Sequence, residues 1–190
     1  MRKTIAFFAI LTALCVYAAF TSAESLAIGG IHLSGDMEIS ENLVELTNGA
    51  VLELPGSAWK CDVCGKTVQD ALITAKTITA DLKKTPAKKL ALAKAIATGS
   101  VVIHAKQIDK AGKTTRFIHA TGDKAVFTPA IGAEDETIVL TGNAAVKLTD
   151  PDLSEPATLT GSSITVYLNK SKISVKSGDM RIKPKEGEQQ

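Results

Sequence analysis

The residues best equipped for chemistry are two cysteines, three histidines and a few acidic side chains. Cys61 and Cys64 stand in the run Cys61-Asp62-Val63-Cys64-Gly65-Lys66, which looks like half of a zinc knuckle, with Gly65 freeing backbone donors toward the sulfurs. A tetrahedral site needs four ligands, and the remaining nitrogen ligands, His32, His104 and His119, are remote in sequence. In an exported chain a small-ring disulfide between Cys61 and Cys64 is therefore favoured over zinc. Haem of the c type would require His where Gly65 stands, and no βαβ pattern surrounds the pair as thioredoxin-like chemistry requires. His104 and His119 fall in separate strand segments, and no nucleophile, base and orienting group converge. No catalytic residue, resident metal or cofactor is expected, and the chain reads as a non-enzyme.

The acidic residues belong to a repeat. Asp36, Asp123 and Asp179 each follow a Ser-Gly or Thr-Gly pair, and the same step recurs at Thr98-Gly99-Ser100, Thr141-Gly142-Asn143 and Thr160-Gly161-Ser162. From Gly99 onward the glycines are 23, 20, 19 and 17 residues apart, a short period that signals serial strands. Glycine suits a turn or bulge where one strand passes into the next, with Asp, Asn or Ser bonding the freed backbone groups. Four residues after the Gly come Ile39, Ile103, Val126, Val146 or Ile182, with only the Gly161 copy placing Ile164 at three, and these should form one apolar row.

The elements that carry these steps read as strands. Residues 24–54 alternate loosely between turns at Gly29-Gly30, Ser34-Gly35-Asp36 and Asn48-Gly49, implying strands of about four to seven residues. Residues 55–69, with Pro55-Gly56, Trp59 and the cysteines, form an inserted loop. Ile73 and Ala75 share a face; Ile78, Ala80 and Leu82 resume after a one-residue slip that suits a bulge. Residues 86–97 carry a helix-like start at Thr85-Pro86, but the alternation of Leu90, Leu92 and Ile96 favours strand. Ile164, Val166 and Leu168, then a turn at 169–172 and Ile173 and Val175, predict a hairpin.

Targeting and charge narrow the class. Arg2 and Lys3 precede an apolar, uncharged run from Ile5 to Phe20 and the small residues Thr21-Ser22-Ala23, the pattern of a cleavable signal peptide over residues 1–23. The whole chain has 22 Lys and Arg against 20 Asp and Glu; removing the leader takes away two basic groups and leaves 20 of each. A mature chain of zero net charge lacks the basic excess that a general nucleic-acid binder needs. The reading is one domain over residues 24–184 and a polar tail over 185–190.

The ordered steps carry a resemblance. Ala97-Thr98-Gly99-Ser100-Val101, Gly122-Asp123-Lys124-Ala125-Val126-Phe127, Leu140-Thr141-Gly142-Asn143-Ala144 and Gly161-Ser162-Ser163-Ile164-Thr165-Val166-Tyr167 resemble, in order, the steps of the OstA-like family of periplasmic lipopolysaccharide-transport proteins. Phe127 replaces a usual Tyr and Ser100 a usual Asn. The resemblance implies an all-β, open twisted β-jelly-roll of serial antiparallel strands, located in the periplasm, that holds lipopolysaccharide or a related lipid by its acyl chains. It also implies an inner-membrane transporter and outer-membrane assembly components as partners, and head-to-tail self-association. The apolar lining expected is Val101, Ile103, Phe127, Ile138, Leu140, Val146, Leu148, Ile164, Val166, Leu168, Ile173, Val175 and Ile182. Lys170, Lys172, Lys176, Arg181, Lys183 and Lys185 could meet lipid phosphates, or simply blunt a strand edge. Pattern alone is also met by a structural or partner-binding β-solenoid, and the cysteines by a metal or redox accessory protein.

Overall fold

The computed structural model describes residues 24–61, 65–108, 113–130, 135–170 and 172–181. The expected signal peptide over residues 1–23, Cys64 with its half of the expected disulfide, Ile182 and the expected polar tail lie outside the described residues. Among the described residues there are twelve strands: β1 (Glu24–Ile28), β2 (Ile31–Ser40), β3 (Leu43–Leu54), β4 (Trp59–Lys60), β5 (Thr67–Val68) and β6 (Ala71–Ala75). They continue with β7 (Thr77–Lys84), β8 (Leu90–Ile108), β9 (Thr114–Thr128), β10 (Thr137–Thr149), β11 (Ala157–Tyr167) and β12 (Lys172–Arg181). Among the described residues there is no helix, so the fold is all-β, as expected.

Ten strands make one antiparallel sheet in near-sequential order, β1-β2-β3-β6-β8-β9-β10-β11-β12, with β7 also bridging β3 and β8. The predicted slip at Lys76 is real: β6 and β7 are two halves of one path, and the Lys76 N–H donates to the Gly99 carbonyl (2.9 Å). The strand reading of residues 90–97 also holds. Pro86–Lys89 form the preceding turn, where the Thr85 N–H donates to Lys89 O and the Lys89 N–H to Thr85 Oγ1. β11 and β12 pair antiparallel, as the expected hairpin requires.

Two expectations about the glycine step are corrected. The strands are long, up to the 19 residues of β8, and the steps lie inside them rather than between them. Gly35, Gly99, Gly122, Gly142, Gly161 and Gly178 each sit within a strand, and the pairing register shifts beside Gly35, Gly99 and Gly142. Gly142 has φ +70°, followed by Asn143 at +48°, a left-handed pair that inserts an extra residue and bends the strand. Gly178 serves a different need: a Cβ there would lie 1.9 Å from the Thr160 carbonyl oxygen. The neighbouring acidic and amide side chains bond each other across strands, Asn143 Nδ2 to Asp123 Oδ2 (2.9 Å) and Asn48 Nδ2 to Asp36 Oδ2 (2.6 Å).

The apolar row expected four residues after five of the glycines is also broken. Ile103 and Val146 point into the core, whereas Ile39 is 59% exposed and Val126 faces outward. The extra residue in β8 and β10 resets the alternation there; β9 carries no such insertion, so the same count lands on its other face. Beyond the bends alternation is regular, as in β10, where Ile138, Leu140, Ala144, Val146 and Leu148 are all buried. Residues from both halves of the bent strands belong to one continuous core. A sheet that bends along a row of bulges closes its own apolar face, and each fully buried Leu, Ile or Val contributes about 1.5–3 kcal/mol.

Candidate functional site

Two places on the molecule bring polar chemistry to apolar surroundings, one on each face of β8–β10. On the inner face, ten of the expected lining residues, Val101, Ile103, Phe127, Ile138, Leu140, Val146, Leu148, Ile164, Val166 and Leu168, are buried in the core. Ile173 and Val175, on the edge strand β12, are half-buried and pack against it. Most of this interior is filled by the side chains themselves. It opens at one end into a hollow of about 290 Å³ walled by Leu148, Leu153, Leu159, Ile173 and Met180.

Charge stands at the rim of that hollow. Arg116 lies on the inward parity of β9, two residues before Ile118, and its Nε donates to Asp150 Oδ2 at 2.5 Å. Lys172 lines the same hollow and sits 4.9 Å from the centroid of the Tyr167 ring. Of the six basic residues singled out in the sequence, Lys172 is at this mouth, Lys170 pairs with Asp135, and Lys176 and Arg181 lie exposed on β12, with Arg181 Nε 3.5 Å from Asp179 Oδ2. Lys183 and Lys185 lie outside the described residues. Arg116, Leu153, Leu159 and Met180 were not anticipated. Extending the β9 alternation back from Ile118 would have found Arg116, but the hollow depends on how the strand ends close.

On the outer face, the insertion is a small folded unit, not a bare loop. β4 and β5 pair as a two-stranded ribbon, extended by the Cys61 N–H donating to Lys66 O and the Gly65 N–H to Cys61 O. It is anchored on β8 by Lys106, 4% exposed, whose ammonium pairs with Asp70 at 2.8 Å and donates to Ser57 O at 2.7 Å. Residues 103–107 of β8 are consequently buried on both faces. Gln107, also buried, donates from Nε2 to the carbonyls of Tyr167, Lys170 and Lys172 and so holds the β11–β12 turn.

The histidines are not distant, contrary to the sequence reading. His104 of β8 and His119 of β9 are direct cross-strand partners, with Nδ1 atoms 3.3 Å apart and ring centroids at 4.8 Å. Cys61 Sγ lies 3.3 Å from the same His104 Nδ1. Trp59 stacks on Phe117 at 4.8 Å beside them, and with Lys147 these residues wall a cleft of about 70 Å³. Desolvation by burial lowers the pKa of His104, reinforced by His119 and Lys66; burial, then Lys147, lowers that of His119. Both imidazoles are therefore held neutral near pH 7. His32 takes no part in this cluster.

No protein-family model and no curated protein matches the chain. A solved structure does: LptH of Pseudomonas aeruginosa, the LptA-homologous periplasmic component of the lipopolysaccharide transport device, superposes with a TM-score of 0.57. The fold is that of LptH. The match covers 81% of this chain and 95% of LptH at 16% identity, so the likeness to LptH is one of architecture. The β-jelly-roll that the OstA-like resemblance implies is thereby shown, and the resemblance has its counterpart in the LptH fold.

Proposed function

We propose that this protein is a non-enzymatic periplasmic carrier that holds lipopolysaccharide or a related amphiphile by its acyl chains. The hollow at the β9–β12 end carries the reading: it continues the apolar interior through Leu148 and Leu159, and Arg116 and Lys172 stand where an anionic headgroup would emerge. Its volume is near the lower end of the usual range for ligand sites, about 300–1,000 Å³. Burial of acyl methylenes supplies the affinity, about 0.8 kcal/mol each, and needs no catalytic group. LptH, of the same fold, is a component of a lipopolysaccharide transport device, which supports export to the periplasm and handover between an inner-membrane transporter and outer-membrane components. β1 and β12 form the two edges of the sheet, so head-to-tail pairing of copies is part of the reading.

A photoreactive residue at Met180 or Ile173, both on the hollow, should crosslink to lipopolysaccharide in cells, while one at exposed Ile39 should not. Ile173→Glu should abolish the Met180 crosslink while leaving the circular dichroism spectrum unchanged. Crosslinks equal at all three positions, or absent from the two hollow positions, would contradict the carrier reading.

A further inference from the structure

We propose that Cys61, His104 and His119 form a transition-metal site of zinc type on the outer face of the sheet, under the inserted ribbon. The site is separate from the hollow, since His119 points away from the interior that its neighbours Ile118 and Ala120 help to fill. It stands or fails independently of the carrier reading.

Ligand type and spacing support it first. One thiol and two imidazoles are the donor set that zinc favours, and they arrive from three separate elements: the ribbon, β8 and β9. Zinc bonds of about 2.0–2.1 Å to nitrogen and about 2.3 Å to sulfur, at tetrahedral angles, imply ligand separations of about 3.4 Å for N···N and about 3.6 Å for N···S. The observed separations are 3.3 Å for both His104–His119 and Cys61–His104. Two nitrogens and a sulfur thus stand one coordination edge apart, with His104 as the shared member. Among the described residues no three such groups already enclose a single point. The Cys61–His119 edge is the one left to form, and the partly exposed His119 ring borders the adjoining cleft.

The surroundings favour ligation. Metal-bound imidazole must be neutral and the thiol ionised. Binding therefore releases the thiol proton, and affinity falls as pH is lowered. The ribbon that carries Cys61 is clamped by the Lys106–Asp70 ion pair to the same strand that carries His104, so the sulfur and the first nitrogen are held in place before an ion arrives. The cleft beside them leaves room for a fourth ligand. Cys64 supplies a thiol at the Cys-x-x-Cys spacing, but the proposal rests on the three groups whose positions the structure describes.

The test is titration of the reduced, signal-less full domain with Co(II), followed by Zn(II) competition. One equivalent should bind with a sulfur-to-cobalt charge-transfer band and the intense visible bands of a tetrahedral ion, and zinc should displace it. His119→Ala should weaken binding about a hundredfold, at least the effect of losing an outer-shell partner. Because His119 is partly exposed, its variant should keep the native circular dichroism and Trp59 fluorescence. His119→Cys, which restores a zinc ligand, should recover most of the lost affinity. Cys64→Ser should retain the charge-transfer band and Cys61→Ser should lose it. No thiolate band, affinity unchanged by His119→Ala, or a band that follows Cys64 and not Cys61 would each overturn the assignment. So would a Cys61–Cys64 disulfide that persists in millimolar reductant.

Discussion

The two faces of β9 differ in how they are made. Inward, Ile118, Ala120, Ala125 and Phe127 meet other strands of the same sheet through alternation alone, and any residue of similar size and polarity would serve. Outward, Phe117 meets Trp59 from an insertion more than fifty residues earlier in the chain, and His119 meets His104, which in turn contacts Cys61 of that insertion. The inner face is generic, large and apolar, suited to chains of methylenes. The outer face is small and particular, suited to an ion. A single strand can serve both because successive side chains point to opposite sides.

Perturbing each face separately should sharpen that contrast. The largest effect belongs to the interior: Phe127→Ala, at a position 1% exposed, should cost about 3–5 kcal/mol in urea unfolding. A loss below about 1 kcal/mol would mean that the interior is a loose trough rather than a packed core. Next comes the clamp of the outer face. Asp70→Ala leaves the buried Lys106 ammonium without its carboxylate and should cost about 2–3 kcal/mol, less than a fully buried pair because Asp70 is one-third exposed. Trp59 emission should shift red in that variant and stay fixed in Phe127→Leu. The bend between the two halves of the strands should be less costly to disturb. Gly142→Ala forces φ +70° on a side chain whose Cβ would lie 2.5 Å from Asp123 Oδ2, for about 1–3 kcal/mol.

The smallest effect is confined to the outer face and depends on pH. Above their ordinary pKa of about 6.5, His104 and His119 are neutral in both folded and unfolded chains. Below it the unfolded chain takes up protons first, because both folded-state pKa values are lowered. Stability of the metal-free protein should therefore fall as pH drops from about 6.5 through those lowered values. Urea midpoints at pH 7.5 and 5.5 should show the loss, and a His104→Gln, His119→Gln double variant should show less of it. An equal slope in the variant would place the pH sensitivity elsewhere.

The slip after Ala75, the hairpin after Leu168 and most of the buried row were legible in the sequence. Period-two alternation reports which face of a strand is apolar whatever its partners. The glycine steps were legible as a repeat suited to a turn or bulge, but were placed between strands where the structure has them inside. Composition marks where backbone freedom or close approach is needed, but a bulge inside a long strand and a turn between short ones draw on the same residues.

What the sequence by itself determined is a serial antiparallel sheet with an apolar face, because alternation and local backbone preference are properties of neighbouring residues. Only the tertiary structure decided that Arg116 stands at the mouth of the hollow and that Cys61, His104 and His119 meet. Those placements depend on strand register, on bulges that shift it by a residue, and on an ion pair that lays the insertion over β8. Each is a contact between segments far apart in the chain, and local pattern does not specify which distant segments come together.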